Sequence, residues 1–149
     1  MTKSLPSLTI VRRIQAPPDK VYAAITRPEL MMQWWGPDVG PTLSAEADVR
    51  PGGRFSIVFR LRNGDEHNPT GVYREVVPDR KLVFTWEWPG APERESLVTF
   101  LLKPVDGGTE LTLTHEHLPD EEARASHELG WSGLLDKLVD FFGGAGWAI

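Results

Sequence analysis

The chain contains no cysteine. Disulfide frameworks, thiolate nucleophiles and cysteine metal clusters are therefore excluded. Long apolar runs are missing too. No segment approaches the roughly 18 consecutive apolar residues needed to span a bilayer, and Met1 to Ile10, which carries Lys3, lacks the apolar core of a secretory signal. Basic residues are too few for a nucleic-acid surface, with 16 Lys and Arg against 21 Asp and Glu and a formal charge of −5. The glycine pairs Gly52-Gly53 and Gly107-Gly108 fall between strands, so no strand-to-helix phosphate loop is present. No serine sits in a G-x-S-x-G setting. The chain reads as cytoplasmic and soluble, with no membrane span, no nucleic-acid partner and no metal or other cofactor expected.

At 149 residues it has the length of one domain, enough to bury about 68–70% of its unfolded surface. With 40% hydrophobic and 25% charged residues it has a globular rather than a disordered balance. Aromatic usage is unusual. The chain has 6 Trp against 6 Phe and 2 Tyr, and so much indole in one small domain points to a large apolar interior or pocket.

Leu8 to Gln15 is rich in β-branched residues and reads as a strand ended by Ala16-Pro17-Pro18. A short helix over Asp19 to Ile25 follows, with Pro18 in its first turn. A second short helix holds Leu30, Met31, Trp34 and Trp35. Thr26 and Glu29 have capping-box spacing for its start, Pro28 could equally be its first residue, and Gly36-Pro37 stops it. From Thr42 to His117 the period is two. Phe55, Ile57, Phe59 and Leu61 alternate with Arg54, Ser56, Arg60 and Arg62, and Asn63-Gly64 then supplies a hairpin turn. Further strands run through Gly71 to Arg74, through Leu82, Phe84, Trp86 and Trp88 opposite Lys81, Thr85 and Glu87, and through Val98, Phe100 and Leu102. In the last strand Leu111, Leu113, His115 and His117 share a face. This spacing predicts an antiparallel meander.

The period then becomes 3.6. Asp120 is a candidate N-cap, and His127, Trp131, Leu135, Leu138 and Phe142, with Leu134 beside them, form one stripe of a helix of about six turns. Gly143 would end it, leaving a loose tail over 143–149. Gly130 inside the helix costs about 1 kcal/mol against Ala and suggests the close approach of another group. Burial then sets the architecture. A sheet of six or more strands with one apolar face needs a cover, and the C-terminal helix is the only element large enough. The expected fold class is α+β, with the two short helices plugging one side and a pocket between sheet and helix.

Several segments, in this order, resemble a known family. Ala16-Pro17-Pro18 with Val21 and Tyr22, Pro28-Glu29-Leu30 and Trp34-Trp35-Gly36-Pro37 are similar to its opening. Pro51-Gly52-Gly53-Arg54-Phe55, Gly71-Val72-Tyr73 and Leu82-Val83-Phe84-Thr85-Trp86 are similar to its sheet. Leu111-Thr112-Leu113-Thr114-His115 and His127-Glu128-Leu129-Gly130-Trp131 are similar to its closing strand and helix. The family is the bacterial START-like group of the SRPBCC superfamily named after the activator of the heat-shock-chaperone ATPase. The resemblance covers about residues 8 to 142 and implies the helix-grip fold, a curved antiparallel sheet wrapped around a long C-terminal helix. The wider superfamily binds lipids, sterols, polyketides and other hydrophobic molecules in the grip cavity, and a few members are cyclases, hydrolases or dehydratases. The family's name links it to stress response through a eukaryotic co-chaperone. That co-chaperone carries an extra N-terminal domain for which 149 residues leave no room, so chaperone activation is not carried over.

Three of the four histidines are expected at one cavity: His115 and His117 from the strand, His127 from the helix. They read as a three-histidine metal site, as acid–base groups, or as polar groups that orient a ligand together with Tyr73. His67, beside the turn, is expected to be exposed. Trp86, Trp88 and Trp131 with Phe55, Phe59, Phe84 and Phe100 would form an aromatic wall, Trp35 its mouth, and Leu113 and Leu135 the rest of the lining. Replacing Trp131 by Ala should then weaken binding of an aromatic ligand more than it disturbs folding. The leading expectation is binding of a small hydrophobic or aromatic molecule. The alternatives are a small cyclase- or hydrolase-like enzyme using a cavity histidine, and a protein-interaction module that docks through an exposed edge and Trp34-Trp35. A homodimer is the default oligomeric expectation.

Overall fold

A computed structural model describes residues 5–35, 42–60, 63–91 and 94–142. The expectations for Gly36-Pro37, Leu61, Arg62 and the 143–149 tail lie outside these residues. Eleven elements follow one another: β1 (Leu8–Ile14), α1 (Pro18–Thr26), α2 (Pro28–Trp34), β2 (Thr42–Ala47), β3 (Arg54–Arg60), β4 (Glu66–His67), β5 (Thr70–Val77), β6 (Lys81–Trp86), β7 (Ser96–Val105), β8 (Gly108–Glu116) and α3 (Glu121–Phe141). The strands form one antiparallel sheet in the order β1-β8-β7-β6-β5-β3-β2, with β4 paired to β3. This is the helix-grip architecture: a curved sheet around α3, with α1 and α2 between the first two strands.

The sequence causes are visible at most boundaries. β8 alternates buried Thr109, Leu111, Leu113 and His115 with half-buried neighbours, and β7 pairs with it from Leu97↔Glu116 to Val105↔Gly108. α3 turns Trp131, Leu134, Leu135 and Leu138 onto the sheet. Arg12 of β1 ties the helix down from the edge, donating to Asp136 Oδ1 (3.0 Å) and Ser132 Oγ (2.9 Å). At the start of α3, Asp120 Oδ1 accepts from the Ala123 N–H (2.8 Å) and satisfies one orphan donor of the first turn. Replacing Asp120 by Ala should cost about 1 kcal/mol, read as a lower urea midpoint with an unchanged slope.

Several local expectations are corrected. No capping box forms at Thr26 and Glu29. Thr26 closes the last turn of α1, donating its hydroxyl to the Tyr22 carbonyl (2.6 Å), while α2 starts on Pro28 with no side-chain cap. The turn after β3 returns as a strand of only two residues, and β4 and β5 then share one edge of β3. β6 stops at Trp86 rather than Trp88, and only Glu87 continues, as an isolated bridge to Thr70. Thr85 does not face solvent. Its buried hydroxyl accepts from the Val72 N–H (2.8 Å) and donates to Glu87 (2.6 Å). Gly71 has its own reason: a Cβ there would lie 1.9 Å from the Thr85 carbonyl oxygen and against the Phe55 ring, so β5 approaches β6 as only glycine allows.

His117 leaves the pattern altogether. β8 ends at Glu116, His117 takes a left-handed φ of 63°, and its side chain is exposed. Leu118 is buried instead, its N–H donating to the Pro6 carbonyl (3.1 Å). The alternation fails because the chain must turn there from the sheet into α3.

Candidate functional site

The concave face of the sheet is divided in two. α1 and α2 close one half by setting Ile25 and Met31 against Phe55, Tyr73, Phe84 and Phe100, and the space left among these side chains is only about 10 Å³. Leu113 and Leu135 are fully buried and are not among the residues around this space. The other half lies under the N-terminal part of α3 and holds a cavity of about 590 Å³.

Three sides build that cavity. The sheet side contributes Phe59, His67, Trp86 and Trp88, and Trp35 enters from the end of α2. From α3 come Ser126, His127, Leu129, Gly130, Trp131 and Leu134, and Arg94 stands ahead of β7. The residues lie where the secondary structure predicts, since positions 126, 127, 130, 131 and 134 recur at helical spacing on one face. Leu129 is 78% exposed at the rim, whereas Trp35, Trp86 and Trp131 are buried at the base. Trp35 packs on Trp86 at 6.3 Å and edge-on to Trp131 at 5.8 Å, and Trp86 and Trp131 are 5.1 Å apart. Trp86 Nε1 is enclosed with no acceptor among the described residues, which costs roughly 1–3 kcal/mol.

Of the expected lining, Trp35, Phe59, Trp86, Trp88, His127 and Trp131 lie on the cavity, while Phe55, Tyr73, Phe84, Phe100, Leu113 and Leu135 lie in the closed interior. Tyr73 stands around the smaller, enclosed space rather than this cavity, and burial pushes its phenol pKa upward. His67 was missed. It is half-buried rather than exposed, stacked on Phe59 at 5.7 Å and edge-on to Trp88 at 6.0 Å. The signal lay in its position three residues beyond the Asn63-Gly64 turn, which carries the returning chain back over Phe59. Arg94, Ser126, Leu129, Gly130 and Leu134 were also absent from the expected lining. The α3 residues among them could have been read from their spacing to His127 and Trp131.

His115 lies just behind the wall. It is fully buried, and Trp131 Nε1 donates to its Nδ1 at 2.9 Å. An indole nitrogen can only donate, so His115 Nδ1 is the acceptor and the ring proton sits on Nε2. Nε2, 2.6 Å from Ser96 Oγ, is then the donor of that bond. Burial, with a smaller contribution from His127, lowers the His115 pKa to about 3, so the ring is neutral near neutrality. Ser96 consequently faces an N–H of His115 rather than a lone pair, so His115 in this tautomer does not serve it as a base.

His127 shows the mirror arrangement. Its Nδ1 is 2.7 Å from the Ala123 carbonyl, which can only accept, so Nδ1 carries the proton and Nε2 takes the longer bond from Trp88 Nε1 at 3.4 Å. Burial lowers its pKa, opposed by the Ala123 carbonyl and assisted by the positive charge of Arg94. The two imidazoles meet edge to face at 4.9 Å, each with both nitrogens engaged by protein. The three-histidine arrangement does not assemble, because His117 points away. Among the described residues no three His, Asp or Glu side chains stand together as metal ligands would.

Residues 15–143 match the family described as Activator of Hsp90 ATPase homolog 1-like protein. The chain belongs to that family. No protein of curated function matches it. Several proteins of known structure are similar to it in shape across nearly all of its length. A crystal structure of a protein from Chromobacterium violaceum has a TM-score of 0.81 at 28% identity, covering 89% of this chain and 94% of the other. CalU16 from Micromonospora echinospora has a TM-score of 0.71 at 28% identity, covering 96% and 83%. The solution structure of an AHSA1-like protein from Aeromonas hydrophila, at 22% identity, has a TM-score of 0.81 and covers 95% of each chain. The region matched to the family contains every cavity residue of this AHSA1-like chain. No helix among the described residues is long and apolar enough to cross a membrane.

Proposed function

We propose that this AHSA1-like chain binds a small apolar molecule, aromatic in preference, in the cavity beneath the N-terminal half of α3. The observation that carries the reading is about 590 Å³ of space walled by four tryptophans. That volume is within the usual range for small-molecule sites, and a few polar groups among aromatic walls are their usual chemistry. A guest burying roughly 300 Å² of apolar area gains about 7 kcal/mol before the costs of association, which corresponds to micromolar affinity at best.

The histidines favour binding over catalysis. A general base needs a free lone pair facing the substrate, and those of His115 and His127 are held by Trp131 and Trp88. Docking of a partner through Trp34 and Trp35 loses its basis, since the two are only 3% and 5% exposed and Trp34 Nε1 donates to the Ala24 carbonyl (2.9 Å).

Native mass spectrometry of freshly purified protein beside its denatured mass tests the reading, paired with a Gly130→Phe variant. Gly130 lines the cavity between Ser126 and Leu134, four residues away on either side along the helix, so a ring there fills the space. Replacing a mid-helix glycine by Phe also recovers roughly a few tenths of a kcal/mol of helix propensity. The expected result is an organic excess mass on the wild-type protein and none on a folded Gly130→Phe variant. A guest retained equally by both would place the binding site elsewhere.

A further inference from the structure

Charge around the cavity is one-sided. Among the described residues that line it none is Asp or Glu, and the one permanently charged side chain is Arg94, exposed at the rim. No carboxylate of a described residue forms an ion pair with Arg94. Its charge adds to the burial that lowers the pKa of His127 on the same cavity wall. In a chain of net charge −5, Arg94 sets a positive charge at an apolar mouth whose described lining residues include no acid.

Two charge types of guest compete for such a site. The faces of Trp35, Trp86, Trp88 and Trp131 carry negative quadrupole potential and would attract a cation. A cation entering would meet Arg94, with no carboxylate among the described lining residues to offset the repulsion. An anion has the reverse balance. Its rings pack against indoles in the offset or edge-on manner that these side chains already adopt with one another. Its acidic group stays wet at the rim, where a guanidinium offers a planar fork of N–H donors matched to a carboxylate. Resting on the binding reading above, we infer that the cavity takes an aromatic carboxylate, its rings among the four tryptophans and its acid group at Arg94.

Matched probes test this: anthracene-2-carboxylate, anthracene-2-carboxamide and 2-(aminomethyl)anthracene as its ammonium, each titrated by tryptophan fluorescence quenching into wild type and Arg94→Gln. Arg94 is exposed, so the fold is expected to tolerate the change. The carboxylate should bind wild type about fivefold more tightly than the carboxamide, as a partly solvated ion pair allows, with the ammonium weakest. That preference should shrink as salt rises from about 0.05 to about 0.5 M, and Arg94→Gln should bring carboxylate and carboxamide to the same affinity. Equal affinities in wild type, or a preference that survives Arg94→Gln, overturns the charge assignment while cavity binding stands. If none of the three binds, the cavity reading fails and this inference with it.

Discussion

Acidification from pH 6.5 to about 4.5 is expected to destabilise the fold by on the order of 2 kcal/mol through His115 alone. The group is buried and neutral with a folded pKa of about 3, against 6.5 for a free imidazole. Between these values the unfolded chain binds a proton that the native state refuses, so stability rises with pH across the window and is lost as pH falls through it. His127, whose pKa is also lowered, acts with the same sign. Protonating His115 would place a charge in the core and set an N–H against the Trp131 donor. Urea denaturation at half-unit pH steps reads the slope, and His115→Gln should flatten most of it at the expense of stability at pH 7. Should that variant fold poorly, the wild-type imidazole signals answer directly, because His115 should not titrate above pH 4.5. A His115 midpoint near 6, or a stability flat across the window, would sink the assignment.

Trp131→Ala should cost about 3–5 kcal/mol for the lost ring volume, plus about 1–3 kcal/mol for the orphaned acceptor on His115. Trp131 is 3% exposed and packs on Trp35, Trp86, Phe100 and His115 at once. A domain with the usual stability of roughly 5–15 kcal/mol would lose much of it. The expectation that this substitution affects binding more than folding is therefore replaced, since the indole is at once a cavity wall and a member of the core. Trp131→Phe separates the roles. It keeps an apolar ring but removes the N–H, and should cost about 1–3 kcal/mol while freeing His115 to move its proton to Nδ1. Nitrogen chemical shifts of the imidazole report that change of tautomer. A Trp131→Phe protein with both wild-type stability and a proton still confined to Nε2 would contradict the hydrogen-bond assignment.

Much of the molecule was legible in one dimension. The alternation through β3, β7 and β8, the 3.6-residue stripe of α3 and the Asp120 cap all follow from the sequence, because each rests on neighbours a few residues apart. Where the reading failed, something non-local intervened. Trp88 leaves the strand because pairing beyond Trp86 is reduced to the single Thr70↔Glu87 bridge, which reaches no further than Glu87. His117 leaves the face because the chain must rise to α3 and bury Leu118. Thr85 is buried because its hydroxyl serves the Val72 N–H of the neighbouring strand.

The same distinction governs the site. Periodicity determines which face of each strand and helix is apolar, and so which aromatic residues enter the interior. It carries no information on which part of that face the covering elements fill. Packing of α1 and α2 encloses Phe55, Tyr73, Phe84 and Phe100 and leaves open the half bounded by Trp35, Trp86, Trp88 and Trp131. Likewise, the sequence supplies His115, Ser96 and Trp131, but only their meeting across 16 to 35 positions of chain sets the proton on Nε2. A tautomer and a cavity both depend on where several distant segments converge, a property of the tertiary structure alone.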